Sequence, residues 1–178
     1  IRGFTLFVAF PIIGIMQGLM PIVSFNYGAL KSDRLKDSIR LSIIWTTGIS
    51  LVLLSIIYFF SQPIIAFFTK DPELLAHTPR VLKVIFLSLP IMGIGFIGGA
   101  YFQAIGKPIP ALVLTLARQG LFMIPLMFIL GHLLGLDGVW FSMPLGEIGA
   151  GIWAGIWLYI EVWKKGLNKN THLEPSRA

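Results

Sequence analysis

The long apolar stretches of this chain contain few polar side chains, and five of these are candidates for chemistry. They are Gln17, Asn26, Gln103, Arg118 and Glu147. A polar group in hydrocarbon is costly unless it faces protein or a water-filled cavity, so such residues are candidates for an ion or substrate pathway. For the amides, hydrogen bonding between helices is the open alternative.

Glu147 is the carboxylate well inside an apolar stretch. It lies about nine residues into that stretch, which at a rise of 1.5 Å per residue is roughly 13 Å below the boundary. A group that changes between neutral and charged forms at that depth suits proton coupling or attraction of a cationic molecule. The alternative is an acid that is bonded between helices, in the direction of Arg118.

Arg118 lies inside the neighbouring apolar stretch. An unpaired guanidinium there would cost several kcal/mol. We therefore expect Arg118 to reach the cytoplasmic interface, backbone carbonyls at a helix end, or a carboxylate. A structural role is favoured over substrate contact, because a fixed positive charge repels cations.

Residues for other kinds of chemistry are missing or badly spaced. The chain has no cysteine, which excludes disulfides, thiol catalysis and Cys-based metal sites. His77, His132 and His172 are far apart and lack the spacing of metal ligands. Since no catalytic cluster occurs near the end of a stretch, we predict neither an enzyme nor a metal or cofactor site.

Glycines recur at spacings that have two interpretations. Gly93–Gly98 matches the dinucleotide pattern G-x-G-x-x-G, but it lies in an apolar stretch with no strand before it and no acid about 20 residues later. Packing of small residues four apart explains these glycines better. The same spacing joins Gly95 to Gly99, Gly14 to Gly18, and Gly151 to Gly155.

The composition points to a membrane protein. Of 178 residues, 56% are hydrophobic and 12% are charged, whereas soluble domains carry about 25% charged residues. A hydrocarbon core about 30 Å thick needs roughly 20 apolar residues in a helix. We predict an all-α membrane protein, a bundle of five transmembrane helices at about 4–27, 39–61, 82–104, 109–132 and 139–163.

The connections between these spans carry helix-ending and charged residues. Asn26 and Gly28 are expected to end the first span, Gly106 and Pro108 to separate the third from the fourth, and residues 135–138 to form a tight turn. Residues 62–80 are expected to form a longer connection. Nine Lys and Arg residues lie at 28–40, 105–108 and after 163, against four on the opposite side, which places the first set and the tail 164–178 in the cytoplasm. The net charge of +6 therefore reflects membrane flanks and predicts no nucleic acid partner.

Several segments, in order along the chain, are similar to a known family. The segment Gly14–Ala29 resembles the "G-x-x-Q-G…P…NYGA" stretch of multidrug and toxic compound extrusion (MATE) exporters. The further similar segments are Phe67–Glu73, Phe102–Lys107, Arg118 with Gln119, and Gly138–Glu147. One departure is that span 82–104 has no Asp or Glu, where some family members carry an acid of a cation site.

The resemblance implies that residues 1–163 are helices eight to twelve of a twelve-helix transporter with two lobes, in the inner (plasma) membrane. Because the chain opens at Ile1 almost directly in a span, we expect a fragment that pairs with the N-terminal lobe of the same protein. The family exports cationic amphipathic drugs in exchange for protons or sodium ions. Its small-molecule organic cations and membrane lipid are thus the expected partners. On this basis Gln17 should face the helix bundle and line the cavity between the lobes.

The alternative is a flippase of the same superfamily that moves lipid-linked saccharides. Such a protein would need several membrane-embedded Arg and Lys residues facing an anionic substrate. Arg118 is the one that lies away from the ends of the predicted spans. The sequence therefore favours the exporter.

Overall fold

The computed structural model describes residues 2–68 and 72–165, and every secondary structure element within these ranges is helical. The α-helices are α1 (Arg2–Gly28), α2 (Ser32–Phe68), α3 (Pro72–Ile85), α4 (Leu89–Ala104), α5 (Pro108–Leu116), α6 (Ile124–Leu134) and α7 (Leu136–Tyr159). A 3-10 turn joins α3 to α4, a π-helical turn (Ala117–Met123) joins α5 to α6, and a second π-helical segment (Ile160–Lys165) continues α7.

Five helical stretches in the described ranges are long and apolar enough to cross a membrane. They are Val8–Gly28, Ser32–Phe67, Thr78–Ala104, Pro108–Leu134 and Leu136–Lys164. The predicted all-α bundle of five transmembrane helices is therefore confirmed. Most of the predicted tail, from residue 166 onward, lies outside the described residues.

The predicted connection over residues 62–80 is wrong, because most of it is helical. Helix α2 continues to Phe68 through a kink at Phe60, where φ is −112° and ψ is 19°. Pro63 explains the kink, since its ring clashes with the carbonyl of Phe59 and it donates no hydrogen bond. The proline bends the helix without ending it, and α3 begins at Pro72. Residues 69–71 lie outside the described ranges.

The first helix ends at Gly28, as predicted, but the left-handed residue that closes it differs from the expected one. Leu30, rather than Asn26 or Gly28, takes the left-handed conformation, with φ of 55°. The N–H groups of Lys31 and Leu30 donate to the carbonyls of Asn26 and Tyr27, at 2.9 and 3.1 Å. This is the Schellman closure, which usually has glycine at the left-handed position. A leucine there is strained, because its Cβ crowds the backbone.

The other two turns use glycine. Gly106 has φ of 74°, and Lys107 and Gly106 donate to Phe102 and Gln103 in the same closing pattern. The predicted stop at Gly106 and start at Pro108 are confirmed. Gly135 has φ of 62° and forms the last turn alone, because α7 already begins at Leu136.

The core is divided into two clusters at opposite ends of the bundle. One, near the Gly106 turn, includes Leu19, Ile39 and Phe102. The other, at the opposite end, includes Val8 and Phe86. Helix α4 contacts α1, α2 and α7 and so lies at the centre of the bundle. The site described below lies at the level between the two clusters.

Candidate functional site

Arg118 and Glu147 form an ion pair between the fourth and fifth spans. Arg118 Nη1 lies 3.7 Å from Glu147 Oε1, and the two side chains are 25% and 23% exposed. Of the three partners expected for Arg118, the structure shows the carboxylate, and it matches the alternative given for Glu147, an acid directed toward Arg118. At 3.7 Å the contact is an ion pair that is too long for a hydrogen bond.

The backbone around each partner explains how they meet. A Cβ atom built on Gly146 would lie 3.1 Å from Met123 Cα, and one on Gly149 would lie 2.8 Å from Phe122 Cδ1. Glycines on both sides of Glu147 therefore let the π-helical turn pack directly on α7. Arg118 belongs to that turn, so its position relative to Glu147 is fixed by backbone contact.

Pro125 explains the π-helical turn. Pro125 lies two residues after the end of the turn at Met123, and it cannot donate to the carbonyl of Leu121, four residues earlier. The N–H of Ile124 donates instead to the carbonyl of Gln119, five residues back. This wider turn is rare in helices and is frequent at functional sites.

Arg118 has a second partner in α4. Its Cζ lies 4.9 Å from the centroid of the Phe96 ring. A guanidinium within about 6 Å of an aromatic face is attracted by the ring quadrupole. The charge of Arg118 is thus shared between a carboxylate and an aromatic face.

A cavity of about 180 Å³, which we call the arginine cavity, opens beside the pair. Its polar lining comes from Gln103, Thr115, Arg118 and Glu147. Its apolar lining comes from Met16, Met92, Gly95, Phe96, Gly99, Ala100, Leu114, Ala150, Gly151 and Ala154. Most of these residues belong to the half of the bundle near the Gly106 turn.

A second cavity of about 160 Å³, the methionine cavity, lies toward the Gly135 turn. It is lined by Val8, Ala9, Ile85, Phe86, Ser88, Leu89, Met92, Met123, Met143 and Glu147. Glu147 and Met92 line both cavities. Unbranched thioether side chains make an adaptable apolar surface, and Glu147 supplies the charge at its inner wall.

The structure brings together three of the five predicted site residues, namely Gln103, Arg118 and Glu147. Asn26 is buried, and its Nδ2 donates to the carbonyl of Ile22 at 2.9 Å, which is a contact within its own helix. Gln17 is exposed on α1. Ile12 and Leu19 occupy the face of α1 that packs within this bundle, and the expectation that Gln17 lines the cavity between the lobes stays a prediction.

The glycine pattern at Gly93–Gly98 is a packing feature of α4. No strand precedes it in the described part of the chain. Packing is confirmed for Gly151 and Gly155, where a Cβ would lie 2.5 Å from Ile91 Cγ2 and 3.2 Å from Ile94 Cγ2. The prediction of close packing is wrong for Gly99, Gly14 and Gly18, which have open space around a built Cβ atom.

Sequence reasoning did not identify Phe96 and Met143 as site residues. Both are ordinary apolar residues within apolar spans, and nothing in their spacing distinguishes them from core or lipid-facing positions. Phe96 becomes part of the site because α4 packs between α1 and α7. Met143 does so because it lies one helical turn before Glu147 on the same helix.

The arrangement can hold a small cation. An ionised carboxylate can accept about four hydrogen bonds, and the Arg118 contact is too long to fill one of these positions. Glu147 therefore has free acceptor capacity toward both cavities. Across the residues that the structure describes, no three His, Cys, Asp or Glu side chains group as metal ligands would.

Comparison with known proteins identifies relatives among multidrug exporters. The chain is 33% identical over 143 residues to the multidrug export protein MepA of Staphylococcus haemolyticus. It is equally identical to MepA of Staphylococcus aureus strain NCTC 8325 / PS 47. Each match covers 79% of this chain and 31% of the relative. The chain thus spans about a third of the length of the curated relatives it matches.

Solved structures share the fold. The MATE multidrug transporter DinF-BH is 34% identical with a TM-score of 0.81, over 89% of this chain and 36% of that one. An inward-facing MATE family transporter of the MOP superfamily superposes with a TM-score of 0.86 at 23% identity, over 94% and 39%. The latter shows the fold alone.

The model of the MatE family matches residues 2–129. This range includes the first three spans, Arg118 and the π-helical turn. This match shows that the chain belongs to the MatE family.

Proposed function

We propose that this chain is the C-terminal lobe of a secondary active antiporter that exports cationic amphipathic drugs in exchange for protons or sodium ions. The observation that carries the proposal is the membrane-embedded Glu147, which lines a cavity and is paired with Arg118 at 3.7 Å. A carboxylate that can exchange one cation for another is the group that such an antiporter needs.

The pair is suited to exchange because it is loose. At the end of the bundle near the Gly106 turn, Lys107 Nζ and Glu161 Oε1 lie 2.6 Å apart and form a charge-assisted hydrogen bond. The distance between Arg118 Nη1 and Glu147 Oε1 is 3.7 Å, which is 1.1 Å longer than the 2.6 Å between Lys107 and Glu161. A competing cation therefore has less attraction to overcome at Glu147 than at Glu161.

The size of the cavity decides whether it can hold a whole drug or only a small cation. The arginine cavity has about 180 Å³, whereas drug-sized ligands occupy pockets of about 300–1,000 Å³. A cavity of about 150 Å³ accommodates a single benzene ring. We infer that this lobe receives the coupling cation or one cationic end of a drug, and that the bulk of the drug lies between the lobes.

The exposed surface supports a larger assembly in a membrane. In the most apolar part of Pro108–Leu134, 11% of the residues are buried within the bundle. We propose that lipid and an N-terminal lobe of the same protein cover this surface. We place the exposed Gln17 on the side facing that lobe.

We further propose a location in the plasma membrane with the C-terminus in the cytoplasm. The Lys and Arg excess at 28–40, 105–108 and after 163 supports this orientation. It would put the Gly106 turn and the arginine cavity toward the cytoplasm. The methionine cavity would then lie toward the outside.

The flippase alternative has weaker support. Anionic saccharide lipids would need uncompensated positive charge, and the carboxylate of Glu147 lies 3.7 Å from the guanidinium of Arg118. The pair presents no net charge to such a substrate. Cationic drugs are the better match to a site whose acceptor is a carboxylate.

Export from cells tests the proposal. The full-length protein carrying this lobe is expressed in cells that lack other exporters, and efflux of a fluorescent cationic dye is followed. Glu147→Gln should abolish efflux at unchanged protein level, because a neutral amide holds neither cation. Glu161→Gln, at the other ion pair, is the matched control and should retain efflux. Wild-type-level efflux by Glu147→Gln would overturn the proposal.

A further inference from the structure

Glu147 is the point at which the two cavities meet. It lines the arginine cavity, near Gln103 and Thr115, and also the methionine cavity, near Ser88 and Met143. Arg118 lines the arginine cavity but not the methionine cavity. A ligand in the methionine cavity therefore meets the carboxylate on a side that its resident guanidinium does not cover.

When a cation occupies Glu147, the guanidinium of Arg118 can remain against the ring of Phe96. Its Cζ is 4.9 Å from the Phe96 centroid, and Phe96 lines the arginine cavity. A guanidinium that loses its carboxylate can thus stay against an aromatic face without crossing into hydrocarbon. Displacement of the pair needs only a small movement of the side chain.

We propose that the methionine cavity admits the coupling cation to Glu147, and that its arrival releases Arg118 from the carboxylate while the guanidinium stays against Phe96. This inference rests on the proposed function and adds the route of the coupling cation. The ligand class is a small monovalent cation, because a cavity of about 160 Å³ has room for water and an ion but not for a drug.

Each candidate cation leaves a balanced step. A hydronium ion in the cavity gives its proton to a Glu147 oxygen, one O–H bond forms, and a water molecule is left behind. A sodium ion instead exchanges a water ligand for that carboxylate oxygen. In both cases the pair changes from neutral to a net charge of one positive unit, which is carried by Arg118.

That change of charge links the two cavities. With Glu147 occupied, the positive guanidinium faces the arginine cavity uncompensated, and it repels any cationic group held there. A cation that reaches Glu147 from the methionine cavity therefore weakens the binding of a cationic substrate to this lobe. This is the exchange that antiport requires, performed by one carboxylate and one arginine.

No other charged group in the described residues forms an ion pair with Glu147. On α3, Arg80 is exposed, and Lys83 Nζ lies 4.6 Å from the ring of Tyr58. On α6, His132 is exposed near the Gly135 turn. At the opposite end, Lys107 is bound to Glu161. Among the residues that the structure describes, the ion pair of Glu147 is with Arg118.

Cysteines that are blocked after folding test the route. This chain has no cysteine, so in a cysteine-free full-length background Ala9→Cys marks the methionine cavity and Gly99→Cys marks the arginine cavity. A Cβ at Gly99 meets no heavy atom within 4 Å. Both variants are reconstituted in liposomes, and dye exchange by each is measured before and after treatment with methyl methanethiosulfonate, so that each unblocked variant is the reference for its own blocked form.

Blocking Ala9→Cys should slow cation-driven dye release by about tenfold, within the usual range of coupling between sites. Its equilibrium affinity for dye should stay unchanged. Blocking Gly99→Cys should lower dye affinity, because that cavity receives the cationic end of the dye. The driving gradient across the liposome membrane is imposed once as a pH difference without sodium and once as a sodium difference at fixed pH. This distinguishes the two cations.

Failure of this inference differs from failure of the proposed function. If the parent protein exchanges dye but Ala9→Cys does not react, or reacts without slowing release, the methionine cavity is not the route. If the parent neither binds nor exchanges a cationic dye, the proposed function is wrong. Slowed release by blocked Ala9→Cys, with unchanged dye affinity, supports the inference.

Discussion

Arg118 Nη1 lies 3.7 Å from Glu147 Oε1 across the contact between the π-helical turn and α7. Both side chains retain about a quarter of their exposure, so the pair faces a cavity and is not sealed in the core. The guanidinium also lies against Phe96. This geometry places the guanidinium of Arg118, whose side chain can move, next to the carboxylate of Glu147 midway along the bundle.

Removing the arginine should destabilise the protein by leaving a carboxylate uncompensated. We expect Arg118→Ala to cost about 1–3 kcal/mol in unfolding free energy, less than a fully buried pair because both side chains are partly exposed. Arg118→Lys should cost less, since it keeps the charge. Thermal unfolding of the purified full-length protein in detergent measures both. The double variant Arg118→Ala with Glu147→Gln should recover stability, and equal loss in the single and double variants would contradict this account.

The glycine contacts that position the pair should be intolerant of side chains. A Cβ at Gly146 would lie 3.1 Å from Met123 Cα, a backbone atom that cannot move alone. We expect Gly146→Val to lower unfolding free energy by about 1–3 kcal/mol, as overpacking does. Gly14→Val is the control, because a Cβ at Gly14 has open space around it. Equal melting temperatures for the two variants would show that the π-helical turn does not pack on α7 as described.

The second ion pair should contribute modestly to stability. Lys107 Nζ lies 2.6 Å from Glu161 Oε1, and the lysine side chain is 38% exposed. Solvent screening limits such a pair to about 0.5–1 kcal/mol. A double-mutant cycle with Lys107→Ala and Glu161→Ala should give a coupling energy in that range, and the coupling should decrease with added salt. No measurable coupling at low salt would contradict the contact.

The orientation of the bundle can be tested with two cysteines at its opposite ends. Ser32 begins α2 near the Lys31 turn, and Asp137 lies in the first turn of α7. In intact cells, Asp137→Cys should react with an impermeant thiol reagent and Ser32→Cys should be shielded. Reversed labelling would overturn the cytoplasmic assignment of the basic loops.

The sequence predicted the spans well because their signal is chemical and local. Long apolar runs separated by charged clusters define the five helices, and Gly106 followed by Pro108 marks a turn. The pairing of Arg118 with Glu147 was also accessible, because an embedded charge needs a partner. These inferences required only the cost of polar groups in hydrocarbon.

The errors arise where packing overrides local preference. Pro63 was compatible with a connection, yet it bends α2 and leaves the helix unbroken. Leu30 closes α1 in a conformation that glycine favours, so no local signal indicated it. Phe96 enters the site through the placement of α4 between its neighbours, which depends on the whole bundle.

Competition between dye and cation at Glu147 tests the central claim most directly. The affinity of purified full-length protein for a fluorescent cationic dye is measured while proton or sodium concentration is raised separately. For the wild type, the affinity should fall as the coupling cation rises, because both ligands need the same carboxylate. For Glu147→Gln, the affinity should be low and independent of that cation. An unchanged cation dependence in Glu147→Gln would contradict the claim that drug and coupling cation exchange at Glu147.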